Sequence, residues 1–239
     1  MTEEAYKEAL RQAYRDSLYH TCKHLFGFKD VTINTHIGII TALESDTRRK
    51  LICVPRGTLK STICSVAYPI WLLMNNPDLR ILLDSELYTN SKNLLREIKG
   101  LVSTQRFIEL FGDWRTDTWN ESEVIIAPRK KVMKEASITA GGIGTIKVGQ
   151  HYEVIIGDDY NSPANSHSKE QRQAVIDHYQ YNQSILEPNG IYAIIGTRYA
   201  EEDLIGWVLS NQLAQKNLEE FRNMPKTKGV IEIETKGFL

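Results

Sequence analysis

Cysteine is scarce and unpatterned. Cys22, Cys53 and Cys64 are the only three in 239 residues, and none forms a C-x-x-C pair. An odd count without that spacing argues against a disulfide framework and for a reducing compartment, with all three read as core or surface thiols. An excess of one charge is also missing. The 29 Lys and Arg meet 30 Asp and Glu, so a nucleic-acid surface would have to be a local patch. Long apolar runs are absent too. The longest, Ile63 to Met74, falls short of the ~20 residues a membrane crossing needs and contains Pro69. The amino terminus, Met1-Thr2-Glu3-Glu4-Ala5-Tyr6-Lys7, carries acids where an export signal needs basic residues before an apolar stretch. No internal repeat or low-complexity linker divides the chain. These absences predict a cytosolic protein with no membrane partner. A hydrophobic content of 41% suffices for one large α/β domain over residues 1–239.

What is present begins with Val54-Pro55-Arg56-Gly57-Thr58-Leu59-Lys60-Ser61-Thr62. It lies between the apolar run Leu51-Ile52-Cys53-Val54 and the apolar stretch from Ile63, the strand, loop and helix order of a phosphate-binding loop. In the pattern G-x-x-x-x-G-K-[ST], backbone N–H groups wrap phosphates, the lysine reaches the β and γ oxygens, and the hydroxyl holds Mg²⁺. Lys60 and Ser61 fit the pattern, whereas Val54 and Leu59 stand at both glycine places and Gly57 lies inside the loop.

A second segment, His151 to Asp159, reads as a buried strand ending in two carboxylates, Asp158 and Asp159. One acid would hold the metal and the other orient water, the division of labour that phosphoanhydride hydrolysis requires. A third apolar strand, Ile191 to Ile195, ends in Gly196-Thr197-Arg198-Tyr199. Polar groups at the carboxyl ends of three apolar strands make a site.

Elsewhere the pattern predicts a helix over residues 3–25 with Tyr6, Leu10, Tyr14 and Leu18 in one stripe. A second helix is expected to be capped by Thr35, with Ile37, Ile40 and Leu43 facing the core. Arg80 to Asp84 reads as a strand and Asn90 to Val102 as a helix. Residues 112–150 read as a β-rich excursion with short strands at 124–126 and 136–139. Helices follow over Lys169 to Ile185 and Asp203 to Gln215, and Gly229 to Thr235 alternates like an edge strand. Strands separated by helices imply a parallel sheet.

With three motifs in register, the sequence resembles the ATPase domain of phage large terminases, the motors that pump DNA into empty capsids. The resemblance covers nearly all of the chain. It rests on residues 54–62, on Tyr152 to Asp159 and on Ile195-Gly196-Thr197-Arg198-Tyr199. It implies a three-layer P-loop fold with a mostly parallel sheet and an additional strand between the loop strand and the acidic strand. Residues 1–50 would form the adenine side and 51–239 the core. Mg-ATP is the implied substrate. Arg56, Gly57, Thr58, Lys60, Ser61 and Thr62 would bind it, and Ser61 with Asp158 would hold Mg²⁺. Arg56 occupies the place of the family's loop arginine, Asp159 orients water, and Thr197 and Arg198 resemble its γ-phosphate-sensing segment.

Where the family has a glutamine before the loop, His36 stands here; where it has an Arg-Gly pair that acts across the subunit boundary, the chain reads Lys147-Val148-Gly149. Lys147 or Arg129 would then act in trans. The implied partners are double-stranded DNA, a portal protein, a small terminase subunit and further copies of the chain in a pentameric ring, with a monomer in isolation, all in the host cytoplasm. The family's nuclease domain would lie beyond Leu239, so no DNA cleavage is expected of these residues. Other readings are a helicase-like P-loop ATPase and a nucleotide-gated binding module without turnover.

Several features have plainer readings. His20 and His24 flank Cys22 without a fourth ligand and read as a solvated helix end. Arg48-Arg49-Lys50 and Arg129-Lys130-Lys131 with Lys134 would grip phosphate backbones or end charged strands. Glu201-Glu202-Asp203 opens the helix that follows, and Tyr68 with Trp71 belongs to the core.

Overall fold

The computed structural model describes residues 2–145 and 149–211 and the backbone of residues 230–233. Its centre is a seven-stranded sheet: β1 (Arg49–Cys53), β2 (Ile81–Ser85), β3 (Glu123–Val124), β4 (Ile138–Ala140), β5 (Tyr152–Asp158), β6 (Leu186–Gly196) and β7 (Val230–Ile233). The order across the sheet is β3-β4-β2-β5-β6-β1-β7. The five inner strands run parallel, and β3 and β7 run antiparallel at the two edges. Strand β6 therefore lies between β1, which precedes the phosphate loop, and β5, which ends in the paired acids.

Strand parity divides the core. Successive side chains point to opposite faces, so Ile52, Ile81, Leu83, Val154, Ile156, Ala193 and Ile195 join one apolar cluster. Leu51, Leu82, Ile155, Tyr192 and Ile194 join the other. The first face is covered by α1 (Glu3–Asp16), α3 (Ile33–Glu44), α4 (Tyr68–Asn75), α5 (Tyr88–Val102) and α6 (Gln105–Phe111). The second is covered by α7 (Lys169–Ser184) and α8 (Leu204–Asn211). The outcome is an α/β fold in three layers. The same parity places Asp158 with Val154 and Ile156 on the α4 face, and Asp84 with Leu82 on the α7 face.

Two helices depart from the sequence reading. The single helix expected over 3–25 breaks at Ser17, whose backbone is extended; its hydroxyl accepts from the His20 N–H and caps α2 (Leu18–His20), which runs into a π-helical turn at Thr21–Leu25. The freed Leu18 N–H donates to Glu44 Oε1 at 2.6 Å, so a tertiary acceptor and a local serine outcompete helix continuation. In α3 the cap position falls on Thr32 rather than Thr35, and the Thr32 N–H donates to His36 Nδ1 at 3.0 Å. The buried face becomes His36, Ile39, Ile40 and Leu43, which leaves Ile37 exposed. Helix α6 fell outside the sequence reading, because seven residues carry too little periodicity. The pair Tyr68 and Trp71 stacks at 6.1 Å, as a core reading expects.

Of the basic clusters read as phosphate grips or charged strand ends, Lys50 has a structural role, and so does Arg80 outside them. The Lys50 ammonium is buried and donates to the Ala42 carbonyl at 2.6 Å and the Ser45 carbonyl at 2.9 Å, closing the carboxyl end of α3. At the amino edge of the sheet, Arg80 bridges Glu135, Glu153 and Glu187 from three neighbouring segments. Among the described residues no helix is long and apolar enough to cross a membrane. Lys50→Met keeps the stem but strips donors from buried carbonyls, and should lower unfolding stability by about 2 to 4 kcal/mol in urea titration. An unchanged midpoint would show that water satisfies those carbonyls.

Candidate functional site

The register of β1, β6 and β5 brings three loops to one edge. Cys53 pairs with Gly196 and Asp158 with Ile195, so the segments that follow each strand emerge side by side. Ser61 Oγ donates to Asp158 Oδ1 at 3.0 Å. Lys60 Nζ lies 3.5 Å from Asp159 Oδ2 and donates to Thr197 Oγ1 at 3.4 Å. Five of the residues singled out by sequence therefore meet in one cluster: Lys60, Ser61, Asp158, Asp159 and Thr197.

The loop reaches this geometry without the patterned glycines. Gly57 has φ +81°, and Leu59, at the second glycine place, adopts φ +54°. An L-residue in this region costs roughly 1 to 2 kcal/mol, so the loop follows the glycine path at that expense. Thr58 Oγ1 donates to the Pro55 carbonyl at 2.8 Å and closes the turn. Ile63 N–H donates to the Leu59 carbonyl at 2.9 Å, which starts the helix on Lys60; Thr62 opens a π-helical segment, Thr62–Ala67, that continues into α4. Asp159 is the other strained residue, with φ +45°. Its N–H donates to the Ile195 carbonyl at 2.8 Å, and its Oδ1 is shielded from solvent with no hydrogen-bond partner among the described residues.

Electrostatics set the two acids apart. Burial first, and the like charge of Asp159 second, push the Asp158 carboxyl up to about 6, against the opposing pull of Ser61 and Lys60. A carboxyl and a hydroxyl in contact suit Mg²⁺, which takes one or two protein oxygens and completes its shell with phosphate and water. Among the described residues no group of three or more His, Cys, Asp or Glu is placed to hold a metal, so His20 and His24, ring to ring at 5.7 Å, keep their plain reading.

Other predicted residues have partners outside these five. The Arg56 guanidinium hydrogen-bonds the Tyr199 hydroxyl and sits 5.6 Å from the Tyr199 ring centre, which ties the phosphate loop to the segment after β6. Arg198 turns toward its own loop and donates to the Ala200 and Glu201 carbonyls. Buried Asp203 accepts from the Tyr199, Ala200 and Gly206 N–H groups, which anchors this loop and opens α8 as the acidic run implied. His36 caps α3 with its ring. Arg129 stands at the amino edge near Arg80, where it donates to the Glu135 carbonyl at 2.8 Å. Lys147 lies outside the described residues, as do the ends of the helix and edge strand expected at 203–215 and 229–235.

One cluster escaped the sequence reading. Asp84 Oδ2 accepts from Tyr160 OH at 2.9 Å and Asn182 Nδ2 at 2.5 Å, and lies 2.6 Å from His178 Nε2. Tyr192 OH lies 3.1 Å from Tyr160 OH. Burial and then the Asp84 charge push the Tyr160 hydroxyl well above the ordinary phenol value, which keeps it a donor. The available signal was Asp84 itself, an acid at the carboxyl end of an apolar strand.

No family model matches the chain, and no curated protein matches it. Among solved structures the chain is similar to S. cerevisiae Dbp5 bound to Nup159, Gle1, IP6 and ADP, at 14% identity and a TM-score of 0.47, over 77% of this chain. It spans 47% of that structure's length, and a likeness of this strength fixes neither family nor activity.

The Asp158 geometry has a consequence for stability. A carboxyl whose folded pKa exceeds its unfolded value destabilises the fold once ionised, so its contribution is most favourable in acid and is lost as pH rises through about 6. Asp158→Asn should therefore stabilise the nucleotide-free, divalent-free protein by about 3 kcal/mol near neutral pH, with the gain vanishing toward about pH 4. Thermal melts across that range check it; a gain independent of pH would contradict the assignment.

Proposed function

We propose that the chain binds and hydrolyses Mg-ATP as the motor module of a DNA-packaging complex of the large terminase kind. The observation that carries the ATPase reading is the convergence of Lys60 and Ser61 from the loop after β1 with Asp158 and Asp159 from the end of β5, across an intervening strand β6 that brings Thr197. The packaging role rests on the motif resemblance.

In this reading the Lys60 ammonium leaves Asp159 and Thr197 for the β- and γ-phosphate oxygens, exchanging one anionic partner for another. Ser61 and Asp158 would hold Mg²⁺, which would neutralise the charge that develops on the phosphates. Asp159, released from Lys60, orients the attacking water and accepts its proton. Thr197, at the end of the additional strand, senses the γ-phosphate by losing its contact with Lys60 when the ammonium moves to the phosphates. Gly57, Thr58 and Thr62 shape the loop around the phosphates. His36, the adenine-side candidate, has its Nδ1 on Thr32 at the start of α3.

Arg56 and Arg198 both hydrogen-bond groups of their own chain. A cation from a neighbouring copy, with Lys147 or Arg129 the candidates, would supply the missing charge, an effect of about 10³ to 10⁵ in rate in other NTPases. Ring assembly on a portal protein, with a small terminase subunit recognising double-stranded DNA in the host cytoplasm, follows from the resemblance. The same engaged arginines favour a second reading, a nucleotide-gated binding module without turnover.

A phosphate-release assay separates the two. Hydrolysis by the unaltered chain that disappears in Lys60→Ala supports the ATPase, and ATP binding without release supports the module. Asp159→Asn should lower kcat by about 10² to 10⁴ with little change in KM. Specific activity should rise with protein concentration and on addition of portal; equal activity at every concentration would remove the trans-acting cation. Unwinding of a plain duplex would favour a helicase-like motor over packaging.

A further inference from the structure

The buried polar network beside the paired acids is absorbed by none of these roles. Asp84 is 1% exposed, yet a single oxygen, Oδ2, faces donors from Tyr160, His178 and Asn182. Its other oxygen, Oδ1, has no hydrogen-bond partner among the described residues. A buried carboxylate is costly to keep, and helix α7 and strand β2 could pack together through apolar groups alone. Where the network attaches is informative. Its phenol belongs to Tyr160, the residue directly after Asp159.

The turn after β5 is held on both sides of Asp159. On one side the Asp159 N–H is fixed to the Ile195 carbonyl of β6 at 2.8 Å. On the other, Tyr160 is fixed twice: its hydroxyl by Asp84, and its carbonyl by Asn165 Nδ2 at 2.7 Å. Gly157 completes the arrangement, because a Cβ there would meet the Tyr160 ring at 2.1 Å; the ring folds back across the strand only over a glycine. The backbone at Asp159 would otherwise relax from its positive φ, and the carboxylate would swing with it.

We infer that Asp84 and Tyr160 are positioning residues for hydrolysis: their hydrogen bond, backed by His178, Asn182 and Tyr192, locks the turn that aims Asp159 at Lys60. This rests on the ATPase reading and adds residues on the opposite face of the sheet from the phosphate loop. In this reading neither residue is a nucleotide ligand. The network therefore acts on the geometry of the water-orienting acid and leaves phosphate binding by Lys60 and Ser61 alone.

The test uses the full chain with Tyr160→Phe, which keeps the ring and removes only the hydroxyl, and Asp84→Asn, which keeps the shape and removes the charge. Steady-state ATPase rates, affinity for a fluorescent ATP analogue with Mg²⁺, and thermal melts are measured for each. The expected result is a fall in kcat of roughly tenfold or more, with KM and analogue affinity within about threefold of the unaltered chain. Full kcat in both variants would overturn the inference, as would losses of kcat matched by equal losses of nucleotide affinity or of folded fraction. If Tyr160→Phe loses its native melt, Asp84→Asn decides by the same criteria. Absence of turnover in the unaltered chain would overturn the ATPase reading and this inference with it, whereas turnover lost in Lys60→Ala but kept in both network variants would overturn the inference alone.

Discussion

The hydrogen bond from Ser61 to Asp158 joins the start of the helix beyond the loop after β1 to the last residue of β5, and it depends on β6 holding the two strands in register. A slip of one residue in β5 would turn Asp158 toward α7 and bring Gly157 under the loop. Every other contact of the cluster follows from that pairing. Lys60 is the neighbour of Ser61, Asp159 is the neighbour of Asp158, and Thr197 continues the strand that spaces them. Because the carboxylate is buried beside a second acid, the folded chain carries an unfavourable charge that a cation would relieve.

Strain and burial concentrate at the same edge. Leu59 and Asp159 are the non-glycine residues with positive φ among the described residues, and they flank Lys60 from its own loop and from across the gap. Backbone held in such conformations persists when its surroundings over-determine it. For Leu59 the surroundings are the turn closed by Thr58 and the helix that starts at its carbonyl. For Asp159 they are β6 on one side and the Tyr160 anchor on the other.

The opposite edge of the sheet is built differently. Arg80 with three glutamates, and the Lys50 ammonium at the end of α3, use charge to close strand starts and a helix end. These groups are satisfied by their own chain. The buried thiols belong to the same structural class, since burial pushes Cys22 up to about 12 and raises Cys64 well above the ordinary value.

The α/β class and the parallel sheet were legible in the sequence, because apolar runs of strand length alternated with helical periodicity and each run ended in polar residues; the intervening strand was an expectation of the motif resemblance. Lys60, Ser61, Asp158, Asp159 and Thr197 were legible for the same reason: they are local features of strand ends. Side-chain partners were not. Nothing local distinguishes Arg56, which turned to Tyr199, from an arginine free to meet phosphate, or Lys50, which capped a helix, from a surface cation. Helix α3 shifted its buried face because His36 found the Thr32 N–H, a contact that hydrophobic spacing does not encode. The Asp84 network joins β2, the end of β5 and α7 over long sequence separations, and only the packed fold brings them together. Periodicity and strand-end chemistry determined the architecture and the core of the site. Which polar groups meet was decided by tertiary packing, where burial makes each unsatisfied donor or acceptor expensive and so selects its partner.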